Sequence, residues 1–345
     1  MAFNDVNWLA RTILIVLMLA CSAAPAAAKS SAALLPAERD FQYDILSQKS
    51  KDAIAEYRQI YRARNEREVE HLPNDQQAAI LGAIERAADL GYSSKLKEAN
   101  ALLAETADQF PKESMLRWHV AATHFLMGRG FKDEESQART YRLGIEQAKE
   151  CFEFAPGTPD CWLAYAALLG SLSLAEGIID TISAMEEVYV SLHKAYELSN
   201  RDPYPLGPWG IDSKHVATGG LAEFYRLVPD WWIFGVLAGV RGDKSKSWHY
   251  AKDMPVNDLG SANIVIRSAL CHGGESENQA LIDRALELIA KTKTFEITHP
   301  LDESEYRRFA SLYNALSQIE SPDFDDYFEL GCYEFGNSDK SKLEK

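Results

Sequence analysis

Four cysteines outside the first thirty residues are the side chains of this 345-residue chain best placed for chemistry. Cys151 and Cys161 stand ten apart across Pro156-Gly157-Thr158-Pro159, and Cys271 and Cys332 lie far downstream. A thiol at a helix N-terminus has a lowered pKa and can be redox-active. Two thiols can also be half of a zinc site, but the tetrahedral ion wants two more ligands, and nothing near the pair supplies them. There is no C-x-x-C, so c-type haem attachment is excluded. His119 and His124 are five apart, which puts them on different faces of a helix, whereas paired helical ligands want three or four. Cys271 and His272 are adjacent and cannot chelate together. No metal and no cofactor is expected. Nor is a catalytic residue assigned: there is no G-x-S-x-G elbow and no glycine-rich phosphate loop, and no carboxylate pair stands out. Arg241-Gly242-Asp243 reads as a turn in which Asp243 caps the next helix. The expectation is a non-enzyme.

The N-terminus bounds the compartment. Arg11 precedes an apolar run from Ile13 to Ala20, and small residues end at Ala28. That pattern reads as a signal peptide over 1–28, cleaved after Ala28, with a core too short to anchor in a bilayer. Cys21 would carry a lipid if Met18–Cys21 were a lipoprotein box. Leu19 is bulky where such a box holds a small residue, which favours cleavage. The expected location is periplasmic or otherwise exported, where cysteines pair. The leader carries one acid and one base, so the net charge of −15 survives its removal. Such acidity argues against nucleic acid and anionic membrane surfaces as partners.

The elements that position these residues are helical. From Pro36 onward the pattern is period 3.6 with no convincing period-2 run. A long charged helix is expected over 36–69, then one capped by Asn74 or Asp75 and stopped at Gly91, and another over about 94–110. Trp118, Ala121, Ala122 and Phe125 sit at offsets 0, 3, 4 and 7, and Trp162, Tyr165, Ala166 and Leu169 repeat those offsets 44 residues later. Each set is followed by a second amphipathic helix: Tyr141, Ile145, Ala148 and Phe152 mark the first, and Ile182, Met185, Tyr189, Leu192 and Ala195 the second. Large-small-small-large on one face lets a neighbouring helix approach closely. Such hairpins bury their faces only by stacking. Thr158 is then an N-cap, Pro159 the first helical residue and Asp160 a favourable charge at a helix start. Cys151 closes one helix and Cys161 opens the next, which predicts a 151–161 disulfide and, by elimination, a possible 271–332 pair.

The segments ending in Phe110-Pro111, "AKECFEFAP" (148–156) and "HKAYELSNRDP" (193–203) resemble the ends of tetratricopeptide repeats. Residues 114–203 look most like the lengthened, divergent repeats of the regulator-of-microtubule-dynamics type. The stretch "EFYRLVPDWWIFGVLAGVRGDKSKSWHYAKDM" is similar to bacterial exported repeat proteins, among them the T component of some TRAP transporters. The expected fold is therefore all-α: stacked antiparallel helical hairpins forming a TPR-like α-solenoid, with a divergent C-terminal helical block. The expected organisation is a signal peptide (1–28), an N-terminal helical segment (29–93), TPR-like repeats (94–203), an aromatic-rich block (204–335) and a flexible tail (336–345). Residues 202–220, rich in proline and glycine, read as a long loop or broken helix between the two arrays.

Nine aromatics fall between Tyr204 and Tyr250, including four of the seven tryptophans. Aromatic anchors dominate interfaces, and they also fill cores. Tyr204, Trp209, His215, Trp231, Trp232 and Trp248 are the candidate partner- or ligand-binding residues. Trp209, flanked by Pro208 and Gly210, fits a core stripe least well. The resemblance implies an exported, non-enzymatic scaffold or adaptor that holds an envelope protein or peptide. The alternative is a small-molecule-binding accessory of a solute transport system, of the TRAP T-component kind.

Overall fold

The computed structural model describes residues 34–36, 39, 46–177, 182–201, 205–206, 211–230, 235–236, 239–298 and 300–333. The expected leader with Cys21, the tail from 336, and Tyr204, Trp209, Trp231 and Trp232 lie outside the described residues. The fold is all-α. In chain order the helices are α1 (Gln48–Val69), α2 (Asn74–Tyr92), α3 (Leu96–Gln109), α4 (Ser114–Gly130), α5 (Glu134–Phe154), α6 (Pro159–Glu176) and α7 (Met185–Arg201). They continue as α8 (Ser213–Leu227), α9 (Lys244–Ala251), α10 (Leu259–Glu275), α11 (Gln279–Thr292), α12 (Pro300–Leu316) and α13 (Phe324–Cys332). Pro205–Leu206 and Ile211–Asp212 form a two-residue antiparallel pair, β1 and β2.

The repeated pattern becomes two hairpins, α4/α5 and α6/α7, packed in series. Trp118, Ala121, Tyr165, Ala166 and Leu169 are buried, as the offsets require. Trp162 is half-buried: it stacks on Phe152 at 4.7 Å between ring centroids and donates its indole N–H to the Pro156 carbonyl at 2.9 Å. Small residues set the helix spacing. A Cβ on Gly144 would stand 2.7 Å from Leu168 and 2.8 Å from His124, so α5 is clamped between α4 and α6. One apolar cluster runs from Ala121 through Tyr141, Tyr165, Leu168 and Leu192 to Leu221 and Phe224, joining residues on both sides of position 203. Each fully buried leucine there contributes about 1.5–3 kcal/mol.

Three boundaries differ from the sequence reading. Helix α1 starts at Gln48, not near Pro36, because the Ser47 side chain caps it there, and Leu35 is held by the C-terminal block. The Leu35 backbone N–H donates to Asn314 Oδ1 at 2.8 Å, and Asn314 Nδ2 donates back to the Leu35 carbonyl at 2.9 Å. Asn74 is already the first residue of α2, with Pro73 at the N-cap and no side-chain cap. The presumed loop ends at Asp212, which caps α8 through the His215 N–H, so 213–220 is helix. Gly219 and Gly220 mark close helix contacts instead: a Cβ would meet Ile264 at 2.9 Å and Leu192 at 2.6 Å respectively.

The C-terminal block centres on α10, a helix buried nearly all round. Both disulfides are present, with Cα–Cα distances of 5.4 Å for Cys151–Cys161 and 4.8 Å for Cys271–Cys332. The second fixes α13 against α10, where Gly331 leaves no room for a Cβ beside the Cys271 backbone N (2.3 Å). Two buried arginines donate to the closing carbonyls of α13. Arg226 reaches Gly331 O at 2.8 Å, and Arg267 reaches Tyr333 O at 2.9 Å, placing positive charge at the negative end of the helix dipole. The block also returns to the first repeat: Arg129 of α4 pairs with Glu305 of α12 at 2.6 Å.

Candidate functional site

Among the described residues, two polar centres, an aromatic joint and one groove stand out. The first centre joins α1 to the repeats. Tyr61 and Arg64, one helical turn apart, are both buried. The Tyr61 hydroxyl contacts His119 Nε2, and the Arg64 guanidinium pairs with Asp160 while lying 5.3 Å from the Trp118 ring centroid. His119 Nδ1 is 2.6 Å from the Met115 carbonyl, which can only accept, so Nδ1 carries the proton and Nε2 accepts from Tyr61. Burial pushes the His119 pKa down to about 3 and the Tyr61 hydroxyl upward. A buried imidazole held neutral, with both nitrogens bonded, is a structural joint. Thr158 does sit at the N-cap of α6, but its side chain makes no cap bond, and Asp160 is turned to Arg64. The sequence marked Asp160 as a dipole partner; its ion-pair partner lay 96 residues away on a helix whose charged surface hides it.

The second centre contains one of the sequence candidates, His215. Its Nε2 lies 2.6 Å from Ser261 Oγ, and Ser261 Oγ donates to Asp258 Oδ2 at 2.6 Å. Serine, histidine and aspartate are present, but in the wrong order for a nucleophile. The serine proton goes to the carboxylate, so the imidazole donates to the serine and cannot act as its base. Asp258 also caps α10 through the Ser261 N–H at 2.9 Å. Trp248, another candidate, is half-buried between the α9 and α10 packing clusters, with Arg284 5.1 Å over its ring. The third centre is an aromatic joint where α7, α8 and α9 meet. Tyr225 stacks on Tyr250 at 5.9 Å between centroids, Tyr196 meets Tyr250 edge-on at 5.7 Å, and Tyr189 meets Tyr225 edge-on at 6.3 Å. Of the candidates between 204 and 250, the two described ones, His215 and Trp248, thus sit in packing or capping positions. Tyr204, Trp209, Trp231 and Trp232 fall outside the described residues.

The groove was not read from the sequence. It has a volume of about 480 Å³ and lies between α5 and the start of α7, over α6. Tyr165, Leu169 and Leu172 of α6 and Ile145 of α5 form its floor. Arg142, Glu146 and Lys149 stand along the α5 rim, and Glu187 stands opposite. The Tyr165 hydroxyl donates to Glu187, and burial together with that carboxylate raises its pKa. Leu143, 56% exposed, extends the apolar surface outward. The floor residues are themselves core residues, so Leu143 is the apolar side chain the groove presents most openly to solvent. The signal was available in part: Tyr165 and Leu169 belong to the repeated offsets, and Leu143 is an apolar residue off the α5 stripe.

Residues 83–211 match the family model of regulator of microtubule dynamics protein 1-3. The matched segment spans the whole of α3 to α7, both hairpins of the repeated pattern, and the groove. It agrees with the resemblance carried by residues 114–203. The match is to the helical-repeat part of the chain and covers somewhat more than a third of its length. No curated protein matches the chain. Among the described residues, no helix is long and apolar enough to cross a membrane.

Proposed function

We propose that the chain is a non-enzymatic, exported adaptor that binds a protein or peptide partner of the cell envelope through its helical-repeat array. The observation that carries this reading is the groove over α6, built from repeat-pattern residues inside the family-matched segment. Its floor supplies apolar contact, and its rim offers Arg142 and Lys149 beside Glu146 and Glu187, which gives orientation and specificity more than raw affinity. The polar centres support a binding role over an enzymatic one, since His119 is sealed in the interior and Ser261 gives its proton to Asp258. Export is supported by the leader-like 1–28 segment and by four buried cysteines that pair two by two.

The test has two parts. N-terminal sequencing of the mature protein should begin at Lys29. A Leu143→Glu variant, changed at an exposed position, should keep its fold and lose its envelope partner. A protein retained in the cytoplasm with an intact leader, or a variant that holds its partner at full strength, would overturn the proposal.

A further inference from the structure

Helix α1 packs against parts of the chain far apart in sequence. It contacts α2, the first repeats and the C-terminal block. Its first half docks on the C-terminal block: Ser47 Oγ donates to Glu296 Oε2 at 2.9 Å, Ser50 bonds the same carboxylate, and Ile54 packs with Leu259, Ile297, Tyr306 and Ala310. Its second half docks on the repeats, with Tyr61 against His119 and Arg64 against Trp118 and Asp160. It also touches α2 and β1. Several of the residues it meets lie at helix starts, Trp118 and His119 early in α4, Asp160 in the first turn of α6 and Leu259 at the head of α10, while Arg58 pairs with Asp89 and lies over the Tyr92 ring at the end of α2. Yet only Ile54, Tyr61, Arg64, Asn65 and Val69 of its 22 residues are buried, and most of the rest face solvent, with Tyr57 and Ile60 40% and 46% exposed. Tyr61 and Val69 join a cluster with α2, α3 and α4, whereas the cluster that runs from Ala121 to Phe224 ties α4 to α8 together with no residue of α1.

We propose that α1 is a displaceable strap, seated across the edge formed by the starts of α4, α6 and α10, which comes away as a unit while the array stays folded. A segment with few buried contacts opens at lower free energy than the core it covers. The edge it covers is chemically specific. Trp118 offers a ring face, His119 Nε2 accepts one hydrogen bond, and Asp160 wants a guanidinium. A partner that replaces α1 is therefore an amphipathic helix with an aromatic hydroxyl and an arginine three residues apart, as Tyr61 and Arg64 are. This goes beyond the groove reading and uses a different face, so either can fail alone.

Hydrogen exchange on the full chain tests the strap. In the wild type, peptides from 48–69 should exchange together, at least about tenfold faster than peptides from α5 and α6. In Asp160→Asn, their exchange should rise by roughly 100-fold or more, since Arg64 loses its buried carboxylate partner. Peptides from α5 and α6 should not change. A second arm uses the labelled synthetic peptide 46–72. It should bind the Arg64→Gln chain saturably and the wild-type chain not at all, and an Arg64→Gln peptide should bind neither. Exchange of α1 at the rate of α5 and α6 in the wild type overturns the proposal, as does Asp160→Asn loosening all three together. So does peptide binding that is equal for the two chains or absent from both.

Discussion

Removing the two disulfides should separate by loop length. Cys151–Cys161 closes a ten-residue separation and Cys271–Cys332 one of 61. In the chain-entropy model, each cross-link restricts the unfolded chain by an amount that grows with the logarithm of the loop. That gives about 2.7 kcal/mol for the short loop and about 4.3 kcal/mol for the long one, a difference of about 1.6 kcal/mol. The native-state cost of replacement is similar at the two sites, because all four cysteines are buried and each Cys→Ala change removes one sulfur. The assay is denaturant unfolding of the oxidised wild type, Cys151→Ala/Cys161→Ala and Cys271→Ala/Cys332→Ala, followed by far-ultraviolet circular dichroism. Stability should fall in that order, the 271–332 variant being the weakest. Equal losses, or a larger loss at 151–161, would refute the entropic reasoning and point to native-state strain relief or local opening of α13 as the dominant effect.

Gly331→Ala should cost about 1–3 kcal/mol or more, because its Cβ would strike the Cys271 backbone, which has no rotamer with which to yield; the same unfolding experiment reads it. Burial holds the His119 pKa at about 3, below the usual 6.5 of an unfolded chain. The unfolded state therefore binds the extra proton between those values. This histidine's contribution is full above about pH 6.5 and falls as pH drops, by up to about 1.4 kcal/mol per unit, until about pH 3. Stability against pH for His119→Gln should lack that slope. Ser261 should resist a serine-directed fluorophosphonate, since its proton is given to Asp258; mass spectrometry of the treated protein checks this.

The fold was legible where one helix face repeats. Trp118, Ala121, Tyr165, Ala166 and Leu169 went to the core because large-small-small-large spacing has one way to pack. The Cys151–Cys161 pair followed from a turn too short to keep its ends apart. What misled was glycine and proline read as punctuation. Gly219 and Gly220 lie inside α8, where the missing side chains admit Ile264 and Leu192. Local sequence cannot distinguish a glycine that turns the chain from one that lets a neighbour in. The polar joint of Tyr61, Arg64, His119 and Asp160 was invisible for another reason: its members come from three helices, and the longest link spans 96 residues. The groove was hidden likewise, since Arg142 and Lys149 on α5 and Glu187 on α7 read as ordinary solvated charge until α6 placed a floor between them.

The most direct measurement is site-specific photo-crosslinking in intact cells, with the reactive residue at Leu143 on the groove rim and a control at Tyr57 on the outer face of α1. The adaptor reading expects an adduct of one defined mass at position 143, absent at position 57 and lost when Glu146 and Lys149 are reversed in sign. No adduct at 143, or the same adducts from both positions, would contradict it.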